Sequence, residues 1–458
     1  MERVSSTSAA LLQLESQAAQ MHVGWLARVD AGAGGAALDV DALRERVERR
    51  LAAAPRFRRV VAAVEARGAA GGGELAWRDD PSFALARHVV VSDAPVAGEE
   101  ELRRAIDGFL AQRLPRERPL WRVLVVPRAG GGAAIVAKAH RALLGAEETT
   151  TLRDLVLDGA PVAADRTGAD ALALREYRTA ARMDALATAR HARGRIGTAM
   201  RHAAYSRTEG LLTPAPPSFL NAPAARRREA GRGADGGPRT IVTARLELGR
   251  LRRIAERSGT ELHDVVLALA AGTLRRVALA AGEQPADLRA MVPVAVPDEE
   301  LALGDAPCAV VELPVAERTP LARLRAIHAT MAAVRGPRSS AGPPSTLLAG
   351  PPEELPSRLA MGVRLCNLTI PSAHGPERAL HVAGAHVRAL FPVTPLPDDH
   401  ALTLGTLSYG RHLHVTAAAD AAAIGGVGRL PVMLADAAEE LALSTGAGVA
   451  RGLLHAAR

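Results

Sequence analysis

A chain of 458 residues is longer than one hydrophobic core usually supports, so two domains of roughly 200 residues each are expected. Hydrophobic residues make up 48% and aromatic residues only 2%, so the core must come from Ala, Leu and Val, and an aromatic-lined nucleic-acid surface is excluded. The net charge of +8 favours anionic partners, although a GC-rich coding sequence also produces such an arginine bias; Lys138 is the one lysine.

In chain order, residues 1–160 alternate short helical and strand-like segments. "DVDALRERVERRL" places Val40, Leu43, Val47 and Leu51 on one helical face. "LWRVLVVP" and "AAIVAKAH" are strand-like runs joined by "RAGGG", a hairpin signal, and "TTTLRDLVLDG" predicts a helix ending at Gly159. Residues 161–240 change character: an Arg-rich helical stretch over 175–207 gives way to a Pro/Gly-rich run, which together read as a connector. From 241 to 458 strands and helices alternate again, starting with "TIVTARLEL" and "HDVVLALAAGTLRR" and finishing on a helix around "LPVMLADAAEELALSTG".

Cys308 and Cys366 make neither a metal-ligand spacing nor a disulfide framework, which fits a reducing compartment. The N-terminus lacks a signal-peptide pattern, and no apolar run approaches the ~20 residues of a membrane span. A cytoplasmic, non-secreted protein is expected, with membrane contact no more than peripheral.

Several segments together resemble the bacterial wax ester synthase/diacylglycerol acyltransferase family. They are Met21-His22-Val23-Gly24, "WRDDPSFALARHV", Pro119-Leu120-Trp121, "AKAHRALLG" where the family carries HHxxxDG, "HDVVLALAAGTLRR" and "LRAMVPVAV". The resemblance implies two α/β domains like chloramphenicol acetyltransferase and condensation domains (CAT-like), mixed sheets flanked by helices, with the active site at their interface. It implies transfer of a fatty acyl group from acyl-CoA to diacylglycerol or a long-chain alcohol, giving triacylglycerol or wax ester. Acyl-CoA is then a substrate; no cofactor or metal is implied, and no nucleic-acid partner. His140 takes the role of general base, since an alcohol is a weak nucleophile until a neutral imidazole removes its proton.

The motif is thinned. Ala139 stands in place of the first histidine, Leu144 in place of the aspartate, and Gly145 is kept. The arginine that pairs with the family's aspartate corresponds to Pro297, so Leu144 and Pro297 are expected to mark a compensated loss of one ion pair. Other departures are His263-Asp264 for the family's Asn-Asp, and Gly304-Asp305 for its Gly-Asn. Trp121, Asn367, His263 and Asp264 are candidate substrate-binding residues. Asp264 reads at least as readily as a helix N-terminal cap, and His22, His88, His412 and His414 as strand residues outside the site. Two alternatives remain: a catalytically impaired member that binds acyl-CoA or neutral lipid, and an acyltransferase for a carrier-protein-bound substrate. The Arg-rich segment offers possible contact with an anionic membrane or lipid-droplet surface.

Overall fold

The computed structural model describes residues 2–15, 20–32, 37–64, 74–144, 148–159, 215–218, 220, 239–293, 308–335, 366–376, 378–397 and 400–447. In chain order the first elements are β1 (Glu2–Arg3), α1 (Ser6–Leu14), β2 (His22–Val29), α2 (Val40–Leu51), β3 (Arg59–Val64), β4 (Glu74–Asp79) and β5 (Val89–Val91). There follow α3 (Glu99–Ala111), β6 (Trp121–Pro127), β7 (Ala133–His140), α4 (Glu148–Val156) and β8 (Asp158–Gly159). After the connector come β9 (Arg239–Glu247), α5 (Leu248–Ser258), α6 (Leu262–Ala280), β10 (Leu288–Pro293), β11 (Cys308–Leu313) and α7 (Pro320–Arg335). The chain continues with β12 (Leu368–Thr369), β13 (Ser372–His374), β14 (Leu380–Val382), β15 (Ala385–Val393), β16 (Leu402–Tyr409), β17 (His412–Asp420) and α8 (Leu430–Ser444).

Two mixed sheets carry the molecule. The first runs β5-β6-β7-β2-β15-β14-β8, and the second runs β11-β10-β12-β16-β17-β9 with β13 also on β16. In the first, the predicted β6–β7 hairpin forms, with Gly131 and Gly132 at positive φ in its turn. All eight residues of β7 are buried, as a strand covered on both faces requires. Its odd positions (Ala133, Ile135, Ala137, Ala139) join one core with Leu43, Val47 and Leu51 of α2. Ala134 and Val136 join another, beneath Leu102, Ile106 and Phe109 of α3. The predicted helix at 149–159 is shorter than expected: α4 ends at Val156, and Asp158–Gly159 instead pair with β14.

In the second sheet, α6 is apolar nearly all round because it is enclosed by the sheet, α5, α7 and α8. A cavity of about 30 Å³ lies between the sheet and α6 and α8, lined by Val266, Leu269, Leu404, Val415 and Leu434. That is room for a water molecule, not for an acyl chain.

One expectation about domains needs correcting. Residues 241–458 do not make one lobe, because β14 and β15 leave the second sheet and complete the first, β15 pairing with β2 from Val387↔Val29 to Val393↔Gly24. β15 is Ala385–Val393, "AHVRALFPV", with His386 and Arg388 exposed and its last five residues buried; periodicity cannot say which sheet such a run joins. The 161–240 connector, its Arg-rich stretch included, lies almost wholly outside the described residues. Two fragments of it touch the second lobe: Leu220 enters the core there, and the Pro216 carbonyl accepts from Asn367.

Candidate active site at the end of strand β7

His140 is the last residue of β7, and the register pairs it with His22 at the start of β2. Directly opposed residues in a sheet share a face, so both imidazoles lie on the α3 side. Ala139 lies on the other side, packed at 0% exposure against the Trp121 strand. The missing first histidine therefore takes nothing from the face that carries His140. Leu144 is likewise absorbed into the apolar core. Gly145, Pro297, Gly304 and Asp305 lie outside the described residues, and so does the proposed Leu144–Pro297 compensation.

A carboxylate does reach His140, from a place the motif does not indicate. Glu15, following α1, has a buried side chain, and its Oε1 lies 3.9 Å from Nε2 of both His140 and His22. Its Oε2 is held by Arg113 at 2.9 Å and Arg116 at 3.4 Å. Glu15 Oε1, His140 Nε2 and both His22 ring nitrogens are buried without a hydrogen-bond partner. Such orphaned polar atoms are rare in native interiors and call for an explanation, a catalytic role among them. Burial pushes His140 down to about 4, with the Glu15 charge opposing and Arg116 and Arg113 reinforcing the shift; His22 is lowered well below its ordinary value, first by burial and then by Lys138. Both rings are neutral at pH 7.

The Ala142 amide donates to His140 Nδ1 at 3.0 Å, which puts the proton of the neutral ring on Nε2, facing Glu15. His140 is 1% exposed. On the same face Lys138 caps the end of α3 by donating to the Phe109 carbonyl at 2.7 Å and to that of Gln112. Its ammonium is lowered to about 7, by burial first and then by Arg122. Lys138 thus fixes the helix that roofs the histidines.

Sequence reasoning set His22 aside and passed over Glu15. The available signal was that Glu15 is the one acidic residue between Arg3 and Val29. The other candidates are placed differently from expectation. Trp121 is walled into the core at 0% exposure, its indole donating to the Phe57 carbonyl at 2.7 Å and its ring stacked on His88 at 4.6 Å. It touches no open surface, so the expected substrate contact is corrected to a packing role, as is that of Asn367. The Asn367 amide accepts from the Arg289 amide at 2.7 Å and donates to the Pro216 carbonyl at 2.8 Å, stitching β10 to the chain before β12 and to the connector. Asp264 is fully buried. It accepts from the Glu261 amide at 3.2 Å as a helix cap, and from His328 and Arg335 at 2.7 Å each. Three of its roughly four acceptor sites are thus taken by the protein itself, which fits a structural role. His263 keeps a buried Nε2 without a partner, and burial lowers it to about 4. His414 packs edge-on against Phe391 of β15 where the two sheets meet. Among the described residues no three His, Cys, Asp or Glu side chains gather to hold a metal ion, and no helix is long and apolar enough to cross a membrane.

Comparison with known proteins identifies the family and the fold. The wax ester synthase/diacylglycerol acyltransferase catalytic domain matches residues 4–266, and the family's C-terminal domain matches 307–442. A candidate diacylglycerol O-acyltransferase of Mycobacterium tuberculosis is 27% identical over 450 residues, 91% of this chain and 85% of its own. A second from that organism is 31% identical over 368 residues, 72% of this chain and 70% of its own. Among solved structures, a wax ester synthase/diacylglycerol acyltransferase from Marinobacter aquaeolei VT8 aligns with a TM-score of 0.64 at 21% identity, covering 97% of this chain and all of that one. The first condensation domain of the CDA synthetase aligns at 0.50 and 16% identity over 96% of each chain, so the fold is CAT-like. The chain belongs to the wax ester synthase/diacylglycerol acyltransferase family.

Proposed function

We propose that the chain is an O-acyltransferase of neutral-lipid synthesis, moving a fatty acyl group from acyl-CoA to diacylglycerol or a long-chain alcohol. Family membership supports acyl transfer, and the names of the relatives point to diacylglycerol as an acceptor. The observation that carries the site assignment is the convergence of His140 Nε2, His22 Nε2 and Glu15 Oε1, three buried atoms without hydrogen-bond partners. Two of the edges between them are 3.9 Å. One oxygen can stand about 2.8 Å from both ends of such an edge, so the acceptor hydroxyl fits there.

With the His140 ring proton on Nδ1, Nε2 takes the hydroxyl proton while the oxygen bonds to the thioester carbonyl carbon. The C–S bond then breaks, and the proton passes from Nε2 to the departing thiolate. Glu15, held by its two arginines, steadies the imidazolium that exists between those steps. The lobe interface is the natural route for both substrates, since α3, the helix over the histidines, meets β9 of the other sheet there, Asp107 accepting from the Thr240 hydroxyl and the Ile241 amide.

One observation favours a second reading, a family member that binds acyl-CoA or neutral lipid without turning it over. His140 as a base must release the Ala142 amide, because Nδ1 cannot carry a proton and accept one at once. Incubation of the purified protein with labelled palmitoyl-CoA and either diolein or hexadecanol separates the two. Triacylglycerol or wax ester that disappears in His140→Ala supports transfer; acyl-CoA binding with no product from the unaltered protein supports the second reading.

A further inference from the structure

We propose that a cavity at the other end of β2 from His22 binds a phosphate group, independently of the acyl-transfer reading. The cavity, of about 360 Å³, is lined by Arg28, Asp30, Glu99, Arg128 and Arg388, and by the Gly130–Gly131 turn between β6 and β7. Three strands aim the arginines there. Arg28 lies near the end of β2, Arg128 just follows β6, and Arg388 is the extra residue of a β-bulge in β15 where the pairing shifts between Val387 and Ala389. A bulge re-aims a side chain that regular pleating would send elsewhere.

The charges around this cavity do not balance. Glu99 takes Arg28 in a two-pronged contact at 2.7 and 3.2 Å and also binds Arg128 at 2.9 Å. Asp30 is shared between His386 at 3.1 Å and the Arg388 guanidinium at 3.7 Å. Three guanidinium groups thus line the cavity against two carboxylates, which leaves it a net positive charge for an anion to offset. Donors are also left over: Arg28 Nε and Arg128 Nη1 are buried without an acceptor. Guanidinium forks are suited to phosphate oxygens, and buried donors without acceptors are costly until something supplies them.

Such a group can come from a soluble nucleotide or from a phosphatidate headgroup. Calorimetric titration of the full chain with inorganic phosphate, with adenosine 3′,5′-bisphosphate, and with phosphatidylcholine vesicles carrying phosphatidic acid distinguishes the sources. Binding of the bisphosphate but not the vesicles assigns a soluble ligand; phosphatidate-dependent vesicle binding assigns the headgroup; both support the site. The double variant Arg128→Ala/Arg388→Ala should weaken binding about tenfold or more, and Asp30→Asn, which removes a competing carboxylate, should tighten it several-fold. Asp30→Asn carries the test if the double variant does not fold. Failure of all three probes to bind, or binding indifferent to these substitutions, overturns the proposal.

Discussion

Two buried polar clusters stand at the two places that the sequence singles out, and they differ in completeness. At the start of α6, the Asp264 carboxylate meets a backbone amide, an imidazole and a guanidinium, all within 3.2 Å. At the end of β7, Glu15 approaches two imidazoles but bonds to neither, and its Oε1 and their Nε2 atoms have no hydrogen-bond partner. A closed network holds structure, because each buried charge is repaid by its contacts; an open one leaves free energy available for a ligand. The comparison reads Asp264 as scaffold and supports the proposed chemistry at His140, although the sequence offers both of these residues as site candidates.

The comparison breaks most readily at Asp264. Asp264→Ala leaves Arg335 and His328 facing a void and should cost about 3–5 kcal/mol in urea unfolding; a loss below about 1 kcal/mol would mean that the network is not a scaffold. Acid acts on both regions. His140, His88 and His263 are held down to about 4 and His414 to about 3, each chiefly by burial. The unfolded chain takes up protons at these residues near pH 6.5 while the folded chain does not. Stability is therefore whole above that pH and falls as pH drops towards 4, by about 1.4 kcal/mol per pH unit for each histidine. Melting temperatures measured between about pH 7.5 and pH 4.5 should fall steeply over that window; a flat profile would show that these rings are not buried neutral.

Restoring the family residue at position 139 sharpens the argument from strand parity. Ala139→His forces a large ring into a filled core on the far side of the sheet, and should cost about 1–3 kcal/mol by thermal melting without raising transfer activity. A gain in turnover would place position 139 in the site after all. Glu15→Gln should have the smallest effect on stability, at most about 1 kcal/mol, because Arg113 and Arg116 are partly in solvent. The same variant should lower kcat much more than it raises KM; equal stability and unchanged kcat would remove Glu15 from the mechanism.

Much of the scaffold was legible because its signals are local. The α2 stripe, the β6–β7 hairpin with its glycine turn and the apolar α6 follow from period and turn chemistry within some twenty residues. The position of His140 at a strand end was legible through the family pattern around it. Its surroundings were not. Trp121 and Asn367 were read as site residues because motif position carries no information about exposure; the structure uses one as core and the other as a stitch.

The sequence by itself determined the elements, the α/β class and, through its ordered motifs, the family. The tertiary structure alone decided which strand lies beside which. That choice sends β15 into the first sheet, brings Glu15 and His22 to a histidine more than a hundred residues away, and gathers arginines from separate strands around one cavity. Hydrophobic period records which side of a strand faces inward, but not the neighbour it pairs with. Long-range pairing is selected by the packing of the whole core, and both polar sites arise from that selection.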